Sequence, residues 1–295
     1  MERLTNEQSR AFALFKRKKN LFITGPAGTG KSHFINIIKK YCDDKKIYVS
    51  ITALTGCAAC LLGSSAKTLH SWAGIGIGNE ENEKLINKIN KTYPVKLRWL
   101  KTKILIIDEI SMMTPILLEK LEYIARRIRR NKAVFGGIQV ILSGDFCQLP
   151  PISKDRTDIK YCFESNIWEE IIEETIYFNK IMRQTDIDFQ KCLKEIRLEE
   201  HSKETINNLQ QCENKDLLDS NIKPTNIYSH RIVVDHINEK ELKNLNETIH
   251  TFNVSTIINE NVNDDIKSYT KNETNKIITT MDNNCNYETV LKLSK

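Results

Sequence analysis

Long apolar runs are missing from this sequence of 295 residues, and so is the short apolar segment of a secretory leader. A membrane-spanning helix needs roughly 20 consecutive apolar residues. The opening, MERLTNEQSRAF, holds charged and polar side chains where a leader would place its apolar segment. We therefore expect an intracellular chain, in the nucleus, the cytoplasm or a viral replication site, with no membrane partner.

Compositional bias is also lacking. The 11 Gly and 6 Pro are too few for a collagen-like or low-complexity chain, and 40% hydrophobic residues with 28% charged residues exclude a disordered class. A chain of this length can form two domains, each with its own hydrophobic core.

The eight cysteines include one CxxC pair, Cys57 and Cys60. A zinc ribbon would need a second closely spaced pair of Cys or His, and the sequence has none. In a chain without export signals, reduced thiols are the expected state. Ala58 and Ala59 between the two thiols suit the start of a packed helix at least as well as a redox pair. We expect no metal site at the cysteines.

Charge is distributed unevenly along the chain. Residues 1–150 hold 25 Lys and Arg against 12 Asp and Glu, whereas residues 151–295 hold 19 against 26. A basic half is what a polyanion-binding surface requires, because each neutralised phosphate releases counterions. An ordinary solvated surface explains the same residues, so charge alone does not assign a partner.

Short apolar runs alternate with amphipathic segments through the first 180 residues. Such alternation predicts a parallel sheet with right-handed crossovers and helices on both faces, a doubly wound α/β domain. The predicted strands are 21–24, 47–52, 103–108 and 138–142. The predicted helices are 6–19, 32–41, 115–130, 165–173, 186–198 and 231–244; the segment 250–288 carries no clear pattern.

The stretch GPAGTGKS, residues 25–32, matches the phosphate-loop pattern GxxxxGK[ST] between a predicted strand and a predicted helix. Its glycines at 25, 28 and 30 let backbone N–H groups surround phosphate oxygens. Lys31 is predicted to contact the β and γ phosphates and Ser32 to bind Mg²⁺. The alternative is a glycine turn that only caps a helix.

A second motif, IIDE at 106–109, ends another buried strand. Asp108 is predicted to hold the Mg²⁺ shell and Glu109 to polarise the attacking water. Both carboxylates should lie beside the phosphate crevice, because ligands bind at the carboxyl ends of parallel strands. These residues indicate hydrolysis or phosphoryl transfer, and they do not separate a hydrolase from a small-metabolite kinase.

The stretch SGDFCQLPP, residues 143–151, ends a third strand. Asp145 and Gln148 should lie at the same crevice, where an amide can bond a γ-phosphate or its water. The two prolines stiffen the chain beyond the strand, so that a change at the phosphate could be transmitted. A rigid surface turn explains the stretch equally well on spacing alone.

Together these motifs resemble the PIF (petite integration frequency) family of superfamily-one DNA helicases, relatives of the RecD-like helicases. The segments that carry the resemblance are LTNEQ at 4–8, GPAGTGKS, IIDEISMM, TALTGCAACL at 52–61, KTLHSWAGIG at 67–76, the stretch 125–151, IMRQTDIDFQKCLKEIR at 181–197 and PTNIYSHRIVVDHIN at 224–238. The resemblance implies RecA-like motor domains, ATP with Mg²⁺, and 5′-to-3′ translocation on single-stranded DNA with duplex unwinding. It implies roles in DNA replication, repair, recombination and telomere maintenance.

The resemblance also assigns residues. Gln8 would read adenine, residues 25–32, including Pro26, Ala27 and Thr29, would hold the phosphates, Gln148 would sense the γ-phosphate, and Arg183 would be an arginine finger from across the domain cleft. Segments 52–61 and 67–76 would grip single-stranded DNA. Of their side chains, Thr52, Thr55 and Ser71 can bond phosphates, and His70 and Trp72 can stack on bases. Trp72 could equally be a core residue.

The chain also departs from the family pattern. No closing motif is recognisable in 240–295, and Leu198-Glu199 replaces a family glycine. We expect a motor domain over 1–180 with a small DNA-contacting insertion, then a linker and incomplete second motor domain over 181–295, in a monomer that binds DNA and DNA junctions. Poor unwinding is expected, and a nucleotide- and DNA-binding regulator remains the alternative to a helicase.

Overall fold

The computed structural model describes residues 4–152, 159–213, 225–245, 247–254 and 290–294. The chain divides into two compact units, Met1–Glu213 and Asn214–Lys295. The predicted domain boundary lay at residue 180, whereas the first unit continues to residue 213.

The first unit is organised around a six-stranded sheet in which every pair of neighbours is parallel. Its strands are β1 (Leu21–Thr24), β2 (Val49–Ala53), β3 (Lys67–Thr68), β4 (Ile104–Asp108), β5 (Gln139–Gly144) and β6 (Glu174–Tyr177). Their spatial order is β3-β2-β4-β5-β1-β6. Strand β5 therefore lies between β4 and β1, and this order brings the ends of those three strands to one edge of the sheet.

Helices connect the strands. They are α1 (Asn6–Lys16), α2 (Lys31–Asp44), α3 (Gly56–Leu61), α4 (Leu69–Ala73), α5 (Asn82–Lys91), α6 (Tyr93–Lys101), α7 (Pro115–Arg129), α8 (Trp168–Ile171), α9 (Ile187–Leu198) and α10 (Lys203–Cys212). Three 3₁₀ turns cover Ile110–Met112, Val134–Gly137 and Cys162–Glu164. None of the helices in the described ranges is both long and apolar enough to cross a membrane.

Strand β4 shows how the core is divided between the two faces of the sheet. Ile104 and Ile106 pack into one hydrophobic cluster, with α2 residues such as Phe34. Leu105 and Ile107 pack into the other, with Trp99. Successive side chains of a strand point to opposite faces, so an uninterrupted apolar run indicates a strand that is covered on both sides.

The predicted α/β class is confirmed, with helices on both faces of a parallel sheet. The four predicted strands and the helices predicted at 6–19, 32–41, 115–130 and 186–198 are present, with ends shifted by a few residues. The helix predicted over 165–173 is shorter than expected. Helix α8 covers only four residues and follows the 3₁₀ turn at residues 162–164. Strands β3 and β6 and helices α3, α4, α5, α6 and α10 were not predicted.

The described part of the second unit contains α11 (Arg231–Asn244) and an antiparallel pair, β7 (His250–Asn253) and β8 (Val290–Leu293). The helix predicted at 231–244 is confirmed. Lys292 forms an ion pair with Glu239 at 3.5 Å. Most of the segment 250–288, for which no element was predicted, lies outside the described residues.

Candidate nucleotide site

The phosphate loop joins β1 to α2, as predicted. Gly25, Gly28 and Gly30 all have φ between +80° and +144°. A Cβ on Gly25 would lie only 2.1 Å from the carbonyl oxygen of Phe178, so this position cannot hold a side chain without moving the adjacent backbone. Gly30 caps the N-terminus of α2 in the left-handed conformation, which L-residues avoid.

The side chain of Lys31 folds back over this loop. Its Nζ donates to the carbonyl oxygens of Gly25, at 2.7 Å, and of Pro26, at 3.0 Å. Thr29 Oγ1 also donates to Pro26 O, at 2.9 Å, which fixes the turn. Ala27 and Ser32 are exposed, and Ser32 lies in the first turn of α2, where exposed backbone N–H groups favour anions.

Three carboxylates lie near Lys31. Burial lowers the pKa of the Lys31 ammonium, and the nearby charges of Asp145, Asp108 and Glu109, in that order, offset part of the effect. The order of the strands explains this gathering, because Asp108 ends β4, Asp145 follows β5 and the phosphate loop follows β1.

The two acids of the IIDE motif differ in environment. Asp108 is only 4% exposed, and burial raises the pKa of its carboxyl. Glu109 has a left-handed backbone, with φ +57° and ψ +42°. Burial raises the pKa of Glu109, and the neighbouring charge of Asp108 raises it further. A carboxylate of this kind is a better proton acceptor than an exposed one.

Asp145 is paired with an arginine that is not among the predicted site residues. Arg197, in the last turn of α9, donates from Nε to Asp145 Oδ2 at 2.9 Å and from Nη2 to Oδ1 at 2.7 Å. Gln148 Nε2 also reaches Oδ2, at 3.4 Å. Burial would raise the pKa of Asp145, but the hydrogen bonds from Arg197, Cys147 and Gln148 and the charge of Arg197 together outweigh it, so the pKa is lowered. The same hydrogen bonds raise the pKa of Arg197.

Arg183, predicted to be an arginine finger, lies in the same compact unit as the phosphate loop. The backbone N–H groups of Met182 and Arg183 both donate to Gly28 O, at 2.7 and 3.3 Å. A Cβ on Gly28 would meet Arg183 Cβ at 2.8 Å. The Arg183 residue is exposed. The segment 181–184 is therefore held on the phosphate loop through its backbone, and the role of Arg183 as an arginine finger stays a prediction.

Gln8, predicted to read adenine, is 3% exposed and lies against the other side of the loop. Its Oε1 accepts from Thr5 N at 3.1 Å, in a capping box that begins α1. Its Nε2 would lie 2.8 Å from a Cβ on Gly30. The carbonyl of this amide is thus committed to the helix cap, while its N–H₂ end faces the phosphate loop.

The predicted DNA contacts fall into two groups. Thr52 is fully buried and donates to Ile106 O at 2.8 Å, and Trp72 is 2% exposed with its ring centroid 4.4 Å from that of Trp99. Neither side chain is accessible at the surface, because Thr52 hydrogen-bonds within the sheet and Trp72 belongs to the core.

The remaining three residues are at least partly accessible. Thr55 caps α3 by accepting from Ala58 N at 3.2 Å, and burial lowers the pKa of half-buried His70. Ser71 is exposed and lines a cavity of about 490 Å³ together with Thr68 and Lys67. This cavity lies between α3 and α4, beside the carboxyl ends of β2 and β3.

Two other features of the sequence have structural uses. Arg129, at the end of α7, donates to the carbonyl oxygens of Gly136, Trp99, Leu100 and Thr102, at 2.6 to 3.1 Å. Cys57 and Cys60 lie exposed on α3, and neither belongs to a disulfide. Within the described ranges, no group of three or more His, Cys, Asp or Glu side chains could hold a metal ion.

A parallel sheet with a glycine loop, a lysine and two acids at one edge defines a P-loop nucleoside-triphosphatase domain of the RecA-like type. Residues 3–217 match the family model described as PIF1-like helicase. The chain belongs to this family.

Individual relatives agree with the family match. The ATP-dependent DNA helicase RRM3 of Saccharomyces cerevisiae is 43% identical over 258 residues, which are 84% of this chain and 35% of the relative. The uncharacterized protein 030L of Invertebrate iridescent virus 6 is 38% identical over 83% of this chain and 48% of its own length. This chain spans between 29% and 48% of the length of such curated relatives.

The chain also matches two solved Pif1 structures over its full length. The crystal structure of Pif1 helicase from Candida albicans has a TM-score of 0.82 and 36% identity, covering 100% of this chain and 64% of that one. Bacteroides Pif1 bound to single-stranded DNA has a TM-score of 0.67 and 25% identity, covering 100% of this chain and 64% of that one.

Proposed function

We propose that this chain hydrolyses ATP as the motor portion of a PIF-family DNA helicase that translocates 5′ to 3′ on single-stranded DNA and unwinds duplexes. The observation that carries the proposal is the gathering of Lys31, Asp108, Glu109 and Asp145 at the phosphate-loop edge. A relative solved in complex with ADP-AlF4, Bacteroides Pif1, supports nucleotide use by such a site.

The residues present suit ATP with Mg²⁺. The glycines at 25, 28 and 30 leave the backbone of the loop without side chains, Lys31 supplies the cation that phosphates need, and Ser32 and Asp108 offer the oxygen ligands that Mg²⁺ prefers. Bound Mg²⁺-ATP supplies the transferable phosphoryl group. On the protein side, Glu109 accepts the proton of the attacking water, Gln148 senses the γ-phosphate, and Gln8 contacts the base.

Arg183 acts as the arginine finger, with its backbone fixed on Gly28 and its side chain exposed. An arginine at the phosphates stabilises the charge that develops during transfer. The proposed domain division is a motor domain over 1–180 and a linker with an incomplete second motor domain over 181–295.

Single-stranded DNA and DNA junctions are the proposed partners of a monomeric chain that acts in the nucleus, the cytoplasm or a viral replication site. Relatives in complex with single-stranded and forked DNA support this choice of partner. Of the predicted residues, Ser71, which lines the cavity beside β2 and β3, and Thr55 and His70, which adjoin lining residues in the sequence, are the proposed contacts. The buried residues Thr52 and Trp72 hold these contact residues in place from within the domain.

The test is steady-state ATP hydrolysis with and without single-stranded DNA. We expect DNA to stimulate hydrolysis, and Lys31→Ala and Glu109→Gln each to lower kcat at least about 100-fold. Lys84→Ala and Glu204→Gln are matched controls, because Lys84 and Glu204 are exposed and belong to surface ion pairs.

The outcome also separates the alternatives. Nucleotide and DNA binding without turnover would indicate a regulator, and phosphate transfer to a small acceptor, indifferent to DNA, would indicate a kinase. Either result would contradict the proposed hydrolytic motor.

A further inference from the structure

The contact between Asp145 and Arg197 joins the nucleotide site to helix α9. The Asp145 side chain is 1% exposed and the Arg197 side chain 15% exposed. The two residues are 52 positions apart in the sequence, and the guanidinium bonds both carboxylate oxygens. A two-point contact of this kind fixes orientation as well as distance.

The same carboxylate also orders the loop after β5. Asp145 Oδ1 accepts from Cys147 N at 3.2 Å, and Oδ2 accepts from Gln148 Nε2 at 3.4 Å. Each oxygen is therefore shared between Arg197 and one group of the loop. A displacement of Arg197 would reorient the carboxylate, and with it the Gln148 amide.

Helix α9 is tied to the phosphate loop from a second direction. Gln190 Nε2 donates to Gln184 O at 2.6 Å, and the segment that contains Gln184 is held on Gly28 O through the backbone of Met182. Both ends of the segment 182–197 thus contact the site, one at the phosphate loop and one at the loop after β5.

We propose that Arg197 is a positioning residue for nucleotide hydrolysis, which acts through Asp145 to orient the side-chain amide of Gln148. The inference rests on the proposed function, since Gln148 matters to hydrolysis only if the chain is an ATPase. Arg197 does not need to touch the nucleotide in this role. Movement of α9 would then change the alignment of Gln148.

The kinetic test compares Arg197→Ala with Arg197→Lys and with Lys191→Ala. Lys191 lies on the same helix and pairs with exposed Glu204, so it controls for a charge lost from α9. We expect Arg197→Ala to lower kcat about tenfold while KM for ATP stays within about twofold, because alignment rather than binding is lost. Arg197→Lys keeps the charge without the two-point contact and should recover only part of kcat.

A merely structural ion pair is distinguished by a double-mutant cycle. In the background of Gln148→Ala, Arg197→Ala should lower kcat no further, because the group that it positions is already gone. Fully additive losses, or an unchanged kcat in Arg197→Ala, would overturn the inference.

Hydrogen exchange supplies a readout that does not depend on activity. Arg197→Ala should accelerate exchange at the backbone amides of Cys147 and Gln148, while Lys191→Ala leaves them unchanged. If the unsubstituted chain shows no hydrolysis, the proposed function fails, and the exchange comparison still decides whether Arg197 orders this loop. Unchanged exchange in Arg197→Ala would reject that ordering role.

Discussion

The phosphate-loop edge and the neighbouring segments 52–61 and 67–76 use their polar and aromatic groups differently. At the edge, Asp108 and Asp145 are buried and their charges act directly on Lys31. In the two segments, Thr52 bonds within the sheet and Trp72 packs in the core. The phosphate site thus uses buried acids, whereas the proposed DNA-facing surface has to rely on exposed side chains that are supported by a buried core.

The largest expected effect tests whether Trp72 belongs to the core or to the DNA surface. Trp72→Ala should lower the free energy of unfolding by about 3–5 kcal/mol, because it leaves a cavity against Trp99. Trp72→Phe should cost less than about 1.5 kcal/mol, since it keeps most of the apolar volume. Its Nε1, which the change removes, has no hydrogen-bond partner among the described residues. Denaturant unfolding measures both values.

DNA binding provides the complementary measurement. Trp72→Phe should bind a fluorescent single strand as the parent chain does, whereas Ser71→Ala, on an exposed neighbour, should weaken binding without loss of stability. The distinction between the two regions would fail if Trp72→Phe stayed fully folded and lost its affinity for DNA.

Much of the fold could be predicted because β1, β4 and β5 are covered on both faces and read as continuous apolar runs. Strand β6 was not predicted because it lies at the edge of the sheet, and only Ile176 of its four residues is buried. An edge strand needs less apolar sequence, so its pattern is weak.

Those residues of the candidate site that lie at the ends of buried strands could be predicted from the sequence. Asp108 and Asp145 follow apolar runs, and parallel strands bring such positions together. Arg197 and the burial of Trp72 depend on contacts with distant parts of the chain, Asp145 in the first case and Trp99 in the second. No local pattern contains that information.

A second prediction compares a glycine of the phosphate loop with one between the segments 52–61 and 67–76. Gly25→Ala should lower stability by about 3 kcal/mol or more and abolish nucleotide binding, because its Cβ would meet Phe178 O at 2.1 Å. Gly63, with φ +103°, is the matched control, since its nearest neighbour would be the flexible Lys39 Nζ at 3.8 Å. Gly63→Ala should cost only about 1–2 kcal/mol of backbone strain.

Thermal unfolding and binding of a fluorescent ATP analogue measure both variants. Equal losses in the two variants would show that backbone conformation alone matters at Gly25. A larger loss in Gly25→Ala would locate the constraint in the close approach between the phosphate loop and the end of β6.

The smallest expected effect concerns the charge of Glu109. Burial and the neighbouring Asp108 raise the pKa of Glu109, so its charged form is less favourable in the folded than in the unfolded state. Glu109→Gln should therefore raise the free energy of unfolding at pH 7, by no more than about 1 kcal/mol for this partly exposed group, although hydrolysis is lost. Glu204→Gln, at an exposed acid, should give no such gain.

The pH dependence of that gain is set by the direction of the shift. A raised pKa in the folded state means that Glu109 stabilises the fold when it is protonated and loses that contribution as the pH rises through the raised value. The gain in stability of Glu109→Gln over the parent should be present at pH 7 and should shrink as the pH falls towards about 4.3, the ordinary pKa of glutamate. A loss of stability in Glu109→Gln at pH 7 that disappeared on acidification would place Glu109 among the stabilising carboxylates, with Asp145, and would remove the electrostatic distinction between those two acids at the phosphate-loop edge.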